Sequence, residues 1–226
     1  MKLISKILAA ASLAGATVAA APLAAQVSGN VAVVNAPVVI AQSNALNTGF
    51  QQIGTTYASQ IQQIQQKQQQ AQALLQQLDT NSDGNLDQTE RQAAQTAPQT
   101  QQLQTLEREI AQLTNQIDTA RVYVIQQILA EYGNSLQTVA TADNIQFILS
   151  PDALAYANPA ANINTKVVTA LNTRVPSVQI TPPQGYQPSQ QAVAVYQQVE
   201  QILMVVAARQ QQAAQQQQQP AQSTGR

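Results

Sequence analysis

Apolar residues recur at alternating steps of four and three along two separate stretches of the chain. In the first, Tyr57, Ile61, Ile64, Gln68, Ala71, Leu75 and Leu78 form a heptad seam with one polar break at Gln68. In the second, Leu103, Leu106, Ile110, Leu113, Ile117, Ala120 and Val124 repeat the spacing. Apolar positions then continue through Ile128, Leu129 and Tyr132, and Gly133 marks the predicted break. In the first stretch the positions between are largely glutamine, a good helix former. Each stretch predicts a helix of roughly 35–40 residues, about 50–60 Å long. Alone, each stripe is too narrow to hold a helix; folded back as an antiparallel hairpin over residues 43–138, each covers the other.

The flanking segments carry a different pattern. "NVAVVNAPVVIA" (30–41) is β-branched and predicts a short strand at about 31–35, with Pro37 opposing one long strand. In "NIQFILSPDALAYANP", Ile145–Leu149 and Ala153–Ala157 predict a strand pair around an "SPD" turn. "NINTKVVTALN" predicts a short helix capped by Asn164, with Val167, Val168 and Leu171 on its apolar face. Residues 173–188 hold four prolines and read as a linker. Residues 189–212 return to helical spacing at Val195, Val199, Ile202 and Val206, widened by Val193, Tyr196 and Leu203. The glutamine-rich tail, 213–226, reads as disordered.

At the N-terminus, Lys2 and Lys6 precede an apolar run and a stretch of small residues. This is the pattern of a secretory signal peptide over residues 1–25, cleaved near Ala25. No later segment is long and apolar enough to span a bilayer, so the mature chain is expected to be exported and soluble. The expected organisation is a signal peptide (1–25), a β body with its first strand (26–42), the helical arm (43–138), the rest of the β body (139–172), a linker (173–188), a C-terminal helix (189–212) and the tail (213–226). The fold class is α+β and mostly α.

Composition narrows the chemistry. The chain has 226 residues and no cysteine, histidine or tryptophan. Zinc, haem and iron–sulfur sites therefore lack their usual ligands, and histidine-based acid–base catalysis and cysteine nucleophiles are absent. No catalytic constellation of other residues is visible, so no enzymatic activity is expected. Removing Lys2 and Lys6 leaves 8 basic against 11 acidic residues, a net charge of −3. No basic stripe points to nucleic acid. Lys67, Arg91, Arg108 and Arg121 are too scattered for an anion site.

Four of the 11 acidic residues fall in "DTNSDGNLDQTE" (79–90), between the two seams. Read from Asp79, it satisfies the twelve-residue calcium-loop pattern. Asp79, Asn81, Asp83, the Asn85 carbonyl, Asp87 and Glu90 fall at the ligand positions, and Gly84 at the sharp turn. A solvated polar turn would explain Asn, Asp, Ser and Gly here, but not Glu90 or the spacing. A single loop of this kind predicts weak Ca²⁺ affinity, on the order of 10⁻⁴–10⁻³ M.

The order of parts resembles the Skp/OmpH family of periplasmic chaperones for outer-membrane proteins. The resemblance rests on "NVAVVN", on "ALAYANP" and on "NINTKVVTALN", over about residues 30–172. Asn162 stands where the family usually has Asp, and Asn164 where it has a capping Thr. The resemblance implies a homotrimer. Short strands of three chains would form a small β body, and three helical arms would enclose a cavity that holds an unfolded outer-membrane protein without ATP. The acidic tip, the slightly acidic charge and the added C-terminal helix depart from that pattern. The seams are expected to be coiled-coil core, with off-seam Ile53, Ala73 and Leu74 available to clients. A calcium-dependent structural coiled coil or envelope scaffold is the alternative function, and a calcium sensor a third.

Overall fold

The computed structural model describes residues 30–218; the expected signal peptide and the last part of the tail lie outside them. Strand β1 (Asn30–Val33) leads into a one-and-a-half-turn helix, α1 (Ala36–Ala41). The sequence-based expectation here was a strand alone. Asn35 changes the outcome: its side chain accepts from the Val38 N–H at 3.1 Å and caps the turn, and Pro37 suits the first turn, where its missing N–H costs nothing. Ser43 then caps α2 (Asn44–Thr56) through the Leu46 N–H. After a break at Tyr57, α3 (Ala58–Leu78) runs out to the tip loop. The short α4 (Gln88–Ala94) follows the loop. The long α5 (Pro98–Ala142) returns to the body, opened by Pro98 in its first turn. Gly133 does not end it: nine further residues of helix follow, because one glycine costs only about 1 kcal/mol in a helix whose neighbouring turns are buried.

Strand β2 (Ile145–Leu149) pairs with β1, parallel, in register Val31–Phe147, Ala32–Ile148 and Val33–Leu149. The predicted hairpin between β2 and residues 153–157 does not form. Ser150 and Pro151 start a 3₁₀ turn (Pro151–Ala153) instead, and residues 154–158 run on without a strand partner, leaving Tyr156 81% exposed. A parallel pair needs a long crossover, and here the entire arm is that crossover. β1 is also bridged to Asn162, with the Ile163 N–H donating to the Val33 carbonyl at 3.0 Å.

Helix α6 (Asn164–Arg174) follows. The expected Asn164 cap does not form, and Ile163 stands at the cap position without a side-chain bond. Asn162, not Asn164, accepts the Asn164 N–H at 2.9 Å. The Asn164 side chain instead accepts the Asn35 N–H at 2.8 Å, and Asn172 accepts the Asn44 N–H at 2.8 Å. The asparagines of "NINTKVVTALN" thus stitch α6 to the starts of α1 and α2.

Residues 175–189 are not a free linker. They lie as a strap along α5. Gln127 receives the Gln179 N–H on its carbonyl oxygen (2.9 Å) and donates back to the Gln179 carbonyl (2.8 Å). Gln126 accepts from the Tyr186 hydroxyl (2.8 Å) and the Ser189 N–H (3.2 Å), and Tyr186 meets Tyr123 edge-on. Val178 passes close over Gly49. Ser189 caps α7 (Gln190–Gln218), which runs six residues beyond its predicted end.

The core sits where these pieces meet. Val39, Ile40, Leu46, Ile53, Val124, Ile125, Ile128, Val167, Leu171 and Val199 are buried together. Each such side chain contributes about 1.5–3 kcal/mol of burial. Tip-ward of Ile117 on α5 and throughout α3, no apolar side chain is fully buried. One anchored base therefore carries one thin arm.

Candidate functional site

The arm is α3 packed antiparallel on α5. Its seam on α3 is shifted from the one the spacing predicts. Lys67 turns inward where Gln68 was expected, and its Nζ meets Glu109 Oε2 at 2.6 Å. Leu74 faces α5 and Leu75 is 46% exposed, the reverse of the expectation. Ile53, expected to be free for clients, is buried in the base. The pairing with α5 chooses among neighbours that the heptad count ranks equally. On α7 the buried line is Ala192, Tyr196 and Val199, while Val206 of the predicted seam is exposed. Near the tip, Leu74, Ala73 and Leu106 line an open groove of about 700 Å³ with Gln70 and Gln102.

On its α3 side this groove is nearly free of charge, whereas on α5 Glu107, Arg108 and Glu109 follow Leu106 directly. The single charged residue of α3, Lys67, is already paired, and the outward positions of α3 are mainly glutamine. Arm surface of this composition offers amide donors and acceptors together with scattered apolar contacts.

The tip loop is built by its own side chains. Asp79 accepts the Gly84 N–H (2.8 Å) and the Asp83 N–H (3.3 Å). Asn81 accepts the Asp83 N–H (2.9 Å), and Asp83 accepts the Asn85 N–H (2.8 Å). Gly84, at φ +83°, takes a left-handed turn that favours glycine. Asp87 and Glu90 form a capping box at the start of α4.

Glu90 is 5% exposed, and its carboxylate collects four donors: the Asp87, Thr80 and Asn81 N–H groups and the Thr80 hydroxyl, at 2.7–3.1 Å. The Asp87 amide foremost, then the Thr80 hydroxyl, hold its pKa down at about 2.

The six sequence-predicted ligands are thus in one loop, and their hard oxygen donors suit Ca²⁺. They do not converge as a set. Glu90 is spent on the cap, and among the described residues no three acidic side chains gather closely enough to hold a metal.

A second polar cluster, which the sequence reading missed, joins α7 to α5. The Tyr196 hydroxyl contacts Glu200 and Asp118 (2.9 Å), and Arg121 meets Asp118 at 3.2 Å and Glu200 at 3.8 Å. Burial first, then the Glu200 bond, push the Tyr196 phenol well above its ordinary range, so it stays protonated. No local motif marks this cluster, because its members are brought together only by helix packing.

The exposed large apolar residues of the body, Val31, Phe147 and Tyr156, lie on or beside the two-stranded sheet. No described helix is long and apolar enough to cross a membrane.

A family model described as outer membrane protein (OmpH-like) matches residues 30–171. No curated protein matches the chain. A solved structure, described as a candidate outer membrane chaperone (OmpH-like) from Caulobacter crescentus CB15, is 17% identical. Its alignment covers 69% of this chain and 91% of that one, with a TM-score of 0.44. The family match spans more than half of the chain, from β1 through the arm to α6, and the chain therefore belongs to the OmpH-like family.

Proposed function

We propose that the protein is an ATP-independent holdase of the periplasm that keeps unfolded outer-membrane proteins soluble against its helical arm. The observation that supports this most is the division of the molecule: a base with a buried apolar core and an arm with no buried apolar residue on α3, whose groove and Leu75 remain open. An arm of this kind presents neutral amides and modest apolar surface to an extended chain without a shaped pocket. Family membership supports a chaperone rather than an enzyme. Purified protein, added at stoichiometric amount, is expected to suppress aggregation of a urea-denatured β-barrel protein on dilution. Unchanged aggregation, with and without calcium, overturns the reading. Recovery of only envelope structural partners in a periplasmic pull-down would favour a scaffold instead.

The reading includes assembly as a homotrimer through the body, which the apolar exposure of Val31, Phe147 and Tyr156 supports. Light scattering at the monomer mass would refute it.

Calcium binding at the tip belongs to the same proposal and is supported by the loop spacing and the turn at Gly84. Asp79, Asn81, Asp83, Asn85 and Asp87 would hold the ion, and Glu90 would have to leave its cap to join them. Bound Ca²⁺ would draw the loop carboxylates together and fix the angle between α3 and α4. Calorimetric titration with Ca²⁺ is expected to show millimolar or sub-millimolar affinity, with Mg²⁺ a poor substitute; no heat of binding up to about 10 mM would refute it.

A further inference from the structure

The strap and α7 lie beyond residue 171, outside the part of the chain that the family model matches. They are nevertheless bound to both halves of the molecule. Ala192, Tyr196 and Val199 are buried in the common core, and α7 packs on α1 of the body as well as on α5 of the arm. Gln126 and Gln127 fasten the strap to the same stretch of α5 by paired hydrogen bonds to its backbone.

The place of the polar cluster on the arm matters. Lys67 pairs with Glu109, so α3 and α5 run past each other in a known register. Equal steps from that pair toward the body bring Asp118 level with Ala58, beside the break at Tyr57. Tyr57 has φ −98° and ψ 17° and ends α2 as α3 begins. The outgoing helix of the arm thus has its one interruption opposite the point where α7 grips the returning helix.

We propose that the strap and the first half of α7 are an intramolecular brace, and that Asp118, Arg121, Tyr196 and Glu200 are its clasp, holding the arm at a fixed angle to the body. Released, the arm bends at Tyr57, the one residue between α2 and α3 that departs from helical geometry, and one only partly buried against the core; a break between packed elements is where hinge motion concentrates. The clasp is suited to this task because its partners come from different helices and its charged members, Asp118, Arg121 and Glu200, are only half-buried. It adds directional polar contacts to a small apolar seam, so its loss loosens α7 without unfolding the core. Of the other charged groups on these helices, Lys67 and Glu109 pair with each other further up the arm, Arg108 bonds to Gln104 and Thr105 within α5, and Arg174 pairs with Glu131 at the other end of α5. The brace gives the proposed holdase arms of set spacing, and to that extent its purpose rests on that reading.

The chain has no cysteine, so a labelled pair can be introduced cleanly. Spin labels at Gln76 of α3 and Gln146 of β2, both exposed, report the arm-to-body distance by pulsed electron resonance in the full chain, diluted into unlabelled chain. The unaltered chain is expected to give one narrow distribution. Tyr196→Phe and Glu200→Gln should each broaden it, by about twofold for a released hinge. Tyr196→Phe keeps the buried ring, so it decides the matter if Glu200→Gln does not fold. Arg209→Gln, on the same helix but outside the clasp, should leave the width unchanged. Equal widths in the unaltered chain and both clasp variants overturn the proposal, as does equal broadening by Arg209→Gln. No client is present in this measurement, so a chain that failed to hold a denatured barrel could still be braced, and the two readings fail separately.

Discussion

Replacing Gly49 and Gly133 by alanine should move stability in opposite directions, although both glycines lie inside helices. Alanine in place of glycine in a helix gains about 1 kcal/mol, mainly by restricting the unfolded chain. At Gly133 nothing lies within 4 Å of the added methyl. The gain should appear in full, raising stability by about 1 kcal/mol. At Gly49 the new Cβ would stand 3.0 Å from a Val178 methyl and 3.1 and 3.2 Å from the two Val124 methyls. Carbon atoms prefer roughly 3.5–4.0 Å, so three contacts are too short at once. Val124 is fully buried in α5 and cannot retreat. Val178 belongs to the strap and can. Overpacking of this kind costs about 1–3 kcal/mol, which offsets or exceeds the helical gain. The net expectation for Gly49→Ala is a loss of about 1 kcal/mol, concentrated in a lifted strap. Urea denaturation of both variants gives the two signs, and amide exchange at Gln179, whose N–H is held by Gln127, gives the location. If Gly49→Ala is as stabilising as Gly133→Ala and Gln179 stays protected, the strap does not pack on α2 as described.

Other consequences can be measured directly. Leu171→Ala removes a fully buried side chain of α6 and should cost about 2–5 kcal/mol in chemical denaturation, without changing the arm. Glu90→Ala or Asp79→Ala should abolish the calcium heat in titration calorimetry while leaving the assembly mass unchanged; retained affinity would dismiss these ligands. Because the folded pKa of Glu90 lies below its ordinary 4.5, at about 2, its contribution to the tip is present above the ordinary value and is lost as pH falls through that interval. Amide exchange at Thr80 and Asn81 should accelerate on acidification between those limits, and Glu90→Gln should remove that dependence. Client binding along α3, whose one charge, Lys67, is already paired, should weaken by less than about threefold between 50 and 500 mM salt, since salt screens only charge–charge attraction; a steep salt dependence would locate the client elsewhere.

The pattern of the chain determined the long helical hairpin, the short strands at both its ends, the acidic tip and the existence of a last helix. Each depends on local rules: heptad spacing, β-branched runs, turn residues and caps read within a few positions. The tip loop was legible as a turn, since the residues that build it, Asp79 to Asp87, lie within one short turn-rich segment between α3 and α4. What remained hidden needed partners far apart in sequence. Whether Leu74 or Leu75 turns inward, or Lys67 or Gln68, depends on where α5 lies, and neighbouring positions on a helix fit the count almost equally. Whether Ile145–Leu149 pairs with the next segment or with β1 depends on the arm having brought the chain back beside its start. Tertiary structure alone decided the parallel sheet, the strap over Gly49, the long-range bonds of Asn164 and Asn172 to the starts of α1 and α2, and the clasp around Tyr196. Each joins residues whose chemistry is unremarked until packing sets them within hydrogen-bond reach, where burial makes an unpaired polar group costly.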